Sequence, residues 1–417
     1  PPPLTALVHL APRRPAARLA DEAAGLAARV AAEIDDPLRR AWLTGQLRAI
    51  EANARTLAEA PGGRTGADYL EHVARSFDWL PARRPAALFT DAQSEIQRLL
   101  PGPGPVADRL EAWDNGLVVP VERLPAVIDW LVERFRRQAA ETFGLPPGEG
   151  LRVSLVRDQP WAGYNWYDGN LQSRVDLNLD LPIQAPNLIG LIAHEAYPGH
   201  HLEHAWKELR LVREERRLEC SIVLLNTPEC LIGEGLADLG RRFAVPADQE
   251  AGLLEELLDR SGIPTGADGP ALPVLAAIAI ALREPRSQLR QFEVNAALRR
   301  HVDGAAHDTV RRELETTALL APKRAEKLLD FIEDPLFRTY VFVYPEGEAL
   351  LRRWLEAVPA AEQAARFRRL LVEQLSPAII VAELADEAGP AERPRGQGLP
   401  PEPFSDFVIG PPSTRVT

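Results

Sequence analysis

Leu188-Ile189-Gly190-Leu191-Ile192-Ala193-His194-Glu195-Ala196-Tyr197-Pro198-Gly199-His200-His201 is the stretch on which the reading of this chain turns. An apolar run leads straight into a His-Glu pair, as a buried helix would carry it. Pro198-Gly199 then interrupts the pattern. Proline lacks a backbone donor and clashes with the preceding turn, and glycine tolerates unusual backbone angles. Two adjacent histidines follow. Of the eight histidines in the chain, four (His194, His200, His201 and His204) fall in this region.

Clustered histidines beside a glutamate suit a metal. Neutral imidazole ligates zinc well, and a catalytic zinc keeps three protein ligands and one open position. In the usual zinc-hydrolase helix two histidines lie four apart, with Glu directly after the first. Here the position four after His194 is Pro198, and His200 and His201 are six and seven positions on. In a regular helix six residues turn through about 600° and seven rise about 10 Å, so neither pair would close on one ion. A bulge or break at Tyr197-Pro198-Gly199 is therefore expected, one that brings His200 or His201 round to meet His194.

Further along, Cys230-Leu231-Ile232-Gly233-Glu234-Gly235-Leu236-Ala237-Asp238 supplies a third ligand, Glu234. Its small neighbours allow another helix to approach closely. Asp238, four residues on, shares its face and is placed to orient a ligand imidazole through the second ring nitrogen.

The stretch His194 to Leu202 resembles the hallmark of a widespread bacterial family of unknown function with a His-Glu-x-Tyr-Pro-Gly-His-His motif. That family is grouped with gluzincin-type zinc peptidases. Glu234-Gly235-Leu236-Ala237 resembles the family's downstream Glu-Gly-x-Ala. The order strand, His-Glu helix, Glu helix is similar to thermolysin-like and carboxypeptidase Taq-like enzymes. The similarity covers residues 150 to 385 and, more weakly, the helices before them. It implies a mainly α, zincin-like fold with a small sheet beside the His-Glu helix, and one Zn2+ per chain. Aligning Gly199-His200 with the Gly-His of ordinary zinc peptidases makes His200 the second ligand. His201 remains a rival and His204 a lesser one.

Roles follow. Glu195 is the expected general base, taking a proton from water and passing it to the leaving amine. An oxyanion donor is also needed, and Tyr340, Tyr344 and His301 are the candidates. The strand from Arg174 to Asp180 stands where zinc peptidases place the edge strand that pairs with an extended substrate, which makes Asn178 a candidate substrate contact. Trp161, Tyr164 and Trp166 would wall a cleft or pack beneath it. The expected activity is zinc-dependent hydrolysis of peptide bonds. The rivals are a metal-dependent amidase acting on a small molecule and a non-catalytic metal binder. Retention of Glu195 speaks against the binder, which needs no base.

The rest of the chain sets bounds. At 46% hydrophobic and 26% charged residues, the 417-residue chain can bury a sizeable core. A net charge of −12 without a long basic run argues against nucleic-acid binding. The longest apolar stretch, Ala271 to Leu282, is too short to span a bilayer. Two cysteines, Cys220 and Cys230, make no disulfide framework and point to a reducing, cytoplasmic setting. The chain begins at Pro1 and contains no Met, so a leader or individual Met residues are expected to be missing from it. Residues 1–148 read as helices and 149–388 as the catalytic region. Residues 389–417 read as a Pro/Gly-rich tail. Trp161 to Gly169 reads as an aromatic loop between two strands. The sequence leaves oligomeric state open.

Overall fold

The structure is a computed structural model that describes residues 14–59, 66–159, 161–265 and 270–387. The expected tail, 389–417, lies outside the described residues. Among those described, six helices precede the sheet: α1 (Ala16–Glu33), α2 (Pro37–Ala58), α3 (Gly66–Phe77), α4 (Ala86–Leu99), α5 (Val106–Gly116) and α6 (Leu124–Phe143). Asp36 starts α2 by accepting hydrogen bonds from the Leu38 and Arg39 amides, with Pro37 in the first turn where its missing donor costs nothing.

Three strands follow: β1 (Gly150–Val156), β2 (Gly163–Gly169) and β3 (Gln172–Asn178). Their order is β1-β3-β2, with β1 parallel and β2 antiparallel to β3. The expected aromatic loop is thus largely a strand. Its inward positions are Gly163, Asn165 and Tyr167, so no aliphatic alternation announces it. Gly169, Asn170 and Leu171 all take positive φ in the turn that joins it to β3.

The helices resume with α7 (Ala185–Glu195), α8 (His200–Lys207) and, after a loop that includes short π and 3-10 turns, α9 (Pro228–Ala244). Then come α10 (Glu250–Arg260), α11 (Leu272–Arg290), α12 (Phe292–His301), α13 (His307–Thr316) and α14 (Pro322–Glu333). A 3-10 turn, Tyr340–Phe342, leads into α15 (Val343–Glu356), followed by α16 (Ala360–Val372) and α17 (Pro377–Glu387). The fold is mainly α with a small sheet. No described helix is long and apolar enough to cross a membrane.

One cluster of buried apolar side chains runs from Tyr69, Ile96 and Phe135 through Ile189 and Leu231 to Trp354 and Ile380, across the sequence boundary at 148/149. Helix α9 lies inside it and is buried along most of its length. It crosses α15 at two glycines. A Cβ on Gly235 would lie 2.4 Å from the Gly347 carbonyl carbon, and one on Gly347 would lie 2.3 Å from the Leu231 oxygen. Gly235, next to Glu234, thus serves as the sequence suggested: it lets two backbones touch beside the site.

Candidate metal centre

Helix α7 stops at Glu195 and α8 restarts at His200, with a cis peptide bond between Tyr197 and Pro198. The backbone bonds across the gap explain how the expanded motif closes. The Gly199 amide donates to the Ala193 carbonyl at 3.0 Å, and the Leu202 amide to that of Ala196 at 3.4 Å. Each reaches six residues back instead of the helical four. Two residues are in effect looped out, so His200 occupies the position of an i+4 residue relative to His194. Gly199 is required at this turn, because a Cβ there would fall 1.9 Å from the His194 carbonyl oxygen.

His194, His200 and Glu234 meet. Among the described residues they are the one group of three His, Cys, Asp or Glu side chains whose ligand atoms all lie within 4.8 Å of one another. His194 Nε2 is 3.1 Å and His200 Nε2 3.5 Å from Glu234 Oε2. The rings stand edge to face at 4.7 Å. His194 Nδ1 donates to Asp238 Oδ1 at 2.9 Å, which leaves Nε2 as the lone-pair nitrogen. His200 Nδ1 faces Glu203 Oε2 at 3.5 Å. Tyr340 donates its hydroxyl to Glu234 Oε1 at 2.7 Å, while Glu234 Oε2 is buried without a hydrogen bond.

These residues fit a metal. Two imidazole nitrogens and one orphaned carboxylate oxygen converge, and a borderline-soft divalent ion is the partner this donor set favours. The electrostatics agree. Burial works against charge at Glu234, yet the His200 and His194 rings hold its carboxyl well below the usual range. Burial likewise opposes a charged His194, but Asp238 and Glu234 push its ring up to about 9.

Glu195 is buried beside the triad, and that burial raises its carboxyl while the neighbouring His194 and His200 rings pull it down. Strand β2 passes against it. A Cβ on Gly163 would lie 3.3 Å from Glu195 Oε1, and Asn165 Nδ2 donates to the Glu195 carbonyl at 2.7 Å. Tyr344 is near as well, its ring 6.3 Å from that of His194. Among the described residues its hydroxyl makes no hydrogen bond, and burial holds it well above the ordinary tyrosine range. Arg290 rests over the Tyr344 ring at 5.4 Å and lies 3.5 Å from Asp238 Oδ2.

No family model matches the chain, and no curated protein does. Among solved structures, it is similar to "the putative lipoprotein from Colwellia psychrerythraea", at 14% identity and a TM-score of 0.49. The match covers 85% of this chain but only 64% of that one.

Other sequence candidates lie elsewhere. His201 is fully buried and turns away from the triad: its Nδ1 meets Ser173 Oγ and its Nε2 meets Glu149 Oε2, both at 2.8 Å. Glu149 also accepts from Tyr197 at 2.5 Å and from Arg136. The second His of the pair therefore pins the looped-out turn to the sheet. His204 packs parallel to His200 at 5.9 Å and against Tyr167. His301 packs at a tilt against Tyr69, donates to the Ile332 carbonyl and accepts from Arg338, so both ring nitrogens are engaged in hydrogen bonds.

Asn178 needs correction. It is buried on the central strand, and its amide donates to the Gln159 and Trp161 carbonyls while its oxygen accepts from Asp180 N. The side chain ties down a loop: both amide hydrogens are spent there, and only one lone pair of the buried oxygen is left. The edge strand is also not the one expected: β3 is central, and β2 is the terminal strand nearest Glu195. The aromatics form a row, Trp161 to Tyr164 at 5.7 Å and Tyr164 to Trp166 at 4.5 Å, with Tyr164 and Trp166 exposed. Neither thiol joins the triad; Cys230 is buried and donates to the Leu224 carbonyl. Sequence reasoning missed Asn165, Glu149 and the Glu203-Lys207-Glu229 cluster behind His200. Glu203 and Lys207 repeat at helical spacing from His200, a signal that was present but is common on any helix.

Proposed function

We propose that this protein is a zinc-dependent hydrolase of peptide bonds, with His194, His200 and Glu234 holding one zinc and Glu195 as general base. The observation that carries the reading is the convergence of His194 Nε2, His200 Nε2 and the orphaned Glu234 Oε2 next to a buried glutamate. The motif's resemblance to gluzincin-type peptidases supports it.

When bound there, zinc supplies Lewis acidity that acidifies water and polarises a carbonyl. The chain's own residues do the rest. Glu195, its carboxyl raised by burial, takes a proton from the attacking water and delivers it to the leaving amine. Tyr344, kept protonated by burial, donates to the developing oxyanion. Tyr340 spends its proton on Glu234 Oε1 and so positions a ligand instead. Asp238 fixes the tautomer and orientation of His194. Strand β2 is the edge along which an extended substrate would pair, because Gly163 leaves no side chain between it and Glu195. Two free cysteines support a reducing, cytoplasmic setting.

Metal analysis of wild type and Glu234→Ala, with a mixed peptide library cut by wild type and Glu195→Gln, tests this. The expected result is one zinc per chain, lost in Glu234→Ala, and cleavage abolished in Glu195→Gln with zinc retained. Absence of zinc after reconstitution of wild type refutes the reading. Zinc without peptide cleavage refutes the peptidase assignment and leaves a small-molecule amidase or a binder.

A further inference from the structure

We infer that Glu203, Lys207 and Glu229 form a buried ionic strut that presets His200 and Glu234 for the metal, with Glu203 as the positioning residue for His200. The inference rests on reading the triad as a metal site. It assigns a role to residues that the hydrolytic chemistry does not use.

The geometry is a chain of contacts. His200 Nδ1 faces Glu203 Oε2 at 3.5 Å, Glu203 Oε1 accepts from Lys207 Nζ at 2.7 Å, and Lys207 reaches on to Glu229 Oε1 at 3.1 Å. His200, Glu203 and Lys207 lie on α8, three and then four residues apart, which puts them on one face. Glu229 lies in the first turn of α9, five residues before Glu234. The chain therefore ties the helix that carries one ligand to the helix that carries another. Gly233 lies alongside it: a Cβ there would be in ordinary contact with Glu203 Oε2 at 3.4 Å.

Burial makes this arrangement informative. Glu203 is 2% exposed, and Lys207 and Glu229 are each 8% exposed. Three ions removed from water carry a large desolvation cost, and well-packed apolar residues would hold two helices together as well or better. A structural role alone gives little reason for charge here, whereas a metal ligand gives a specific one. With Nδ1 donating to a carboxylate, the His200 ring is fixed in the tautomer that presents Nε2 to the triad. Lys207 holds the other oxygen of Glu203, so that carboxylate cannot rotate away. The result parallels Asp238 on His194: each ligand imidazole has an acid on its far nitrogen. The His194 acid sits on α9 itself, whereas the His200 acid is braced across to α9 through Lys207.

Zinc affinity of the full-length apo-protein tests the strut, measured by competition with a chromophoric chelator, for wild type, E203Q and K207M. Unfolding of each apo-protein by urea is followed in parallel. E203Q keeps the shape of Glu203 but loses its charge, and its zinc Kd is expected to rise about tenfold to a hundredfold. K207M is expected to move in the same direction, with one zinc per chain still reached at saturation. A purely structural role would lower apo stability and leave Kd alone. An E203Q Kd within twofold of wild type overturns the inference, whatever its apo stability. If K207M does not fold, E203Q decides. Failure of wild type itself to bind zinc is a different outcome, and it refutes the ligand reading on which this one rests.

Discussion

Replacing His201 by leucine separates the two adjacent histidines of the motif by the kind of damage each causes. His201 is fully buried and makes two hydrogen bonds of 2.8 Å, to Ser173 and to Glu149. A bond to a charged acceptor contributes about 1.5–3 kcal/mol and one to a neutral hydroxyl about 0.5–1.5 kcal/mol. Glu149 keeps Tyr197 and Arg136, so it is not left bare. The loss should therefore be about 2–4.5 kcal/mol in the apo-protein, read from urea unfolding. His200→Leu provides the contrast. Its ring belongs to the triad, so its removal should abolish stoichiometric zinc binding while costing the apo fold less. Zinc content of both variants, after reconstitution of folded protein, completes the assay. If His201→Leu lost zinc at unchanged apo stability while His200→Leu kept it, the assignment of roles to the two histidines would be wrong.

Two further outcomes follow from the packing. Gly235→Ala places a methyl 2.4 Å from backbone of α15, which cannot swing aside as a side chain would. Forced separation of the helices should destabilise by about 1–3 kcal/mol or more, and an urea-derived loss under about 0.5 kcal/mol would contradict the close crossing. Burial lowers the His301 ring to about 4, the Ile332 carbonyl opposing and the Arg338 cation reinforcing the shift. The unfolded chain therefore binds this proton first. Stability from this group is complete above the unfolded pKa of about 6.5 and is lost as pH falls through about 4. His301→Gln should flatten the pH dependence of urea midpoints between those values relative to wild type, and parallel curves would count against the buried neutral ring.

How much of this could be read from the chain depended on whether a signal was local. The helices around Ala16, Pro37 and Leu124 announce themselves through caps, prolines and apolar spacing, and the structure forms them there. The convergence of His194, His200 and Glu234 was legible because a His-Glu cluster restricts residue type as well as position. Strand β2 was not. Its inward residues are glycine, asparagine and tyrosine, chosen by what they touch on α7 and α8 and not by apolarity. The same holds for Asn178, whose strand position was read correctly while its partners, 17 and 19 residues earlier, could not be. Glu149 shows the limit most clearly. Nothing near it in sequence connects it to Tyr197 or His201, yet it anchors both.

The motif's odd spacing follows from the same anchoring. An uninterrupted helix would place a ligand four residues after His194. Here two residues are looped out, and the lost helical bonds are replaced by two that reach six residues back. A bare insertion of that kind would leave the restart of the helix free to rotate, and His200 with it. Tyr197 and His201 remove that freedom, because they stand on either side of Pro198-Gly199 and converge on one oxygen of Glu149 at 2.5 and 2.8 Å. Gly240 receives the loop from below: a Cβ there would meet Pro198 at 3.3 Å. The loop is thus gripped by the sheet on one side and by α9 on the other, and α9 is the helix that carries Glu234. The separation of six between His194 and His200 is tolerable because the residues between and just after them are spent on holding the bend. This accounts for the Tyr, the Pro-Gly and the second His of the motif, none of which belongs to the triad.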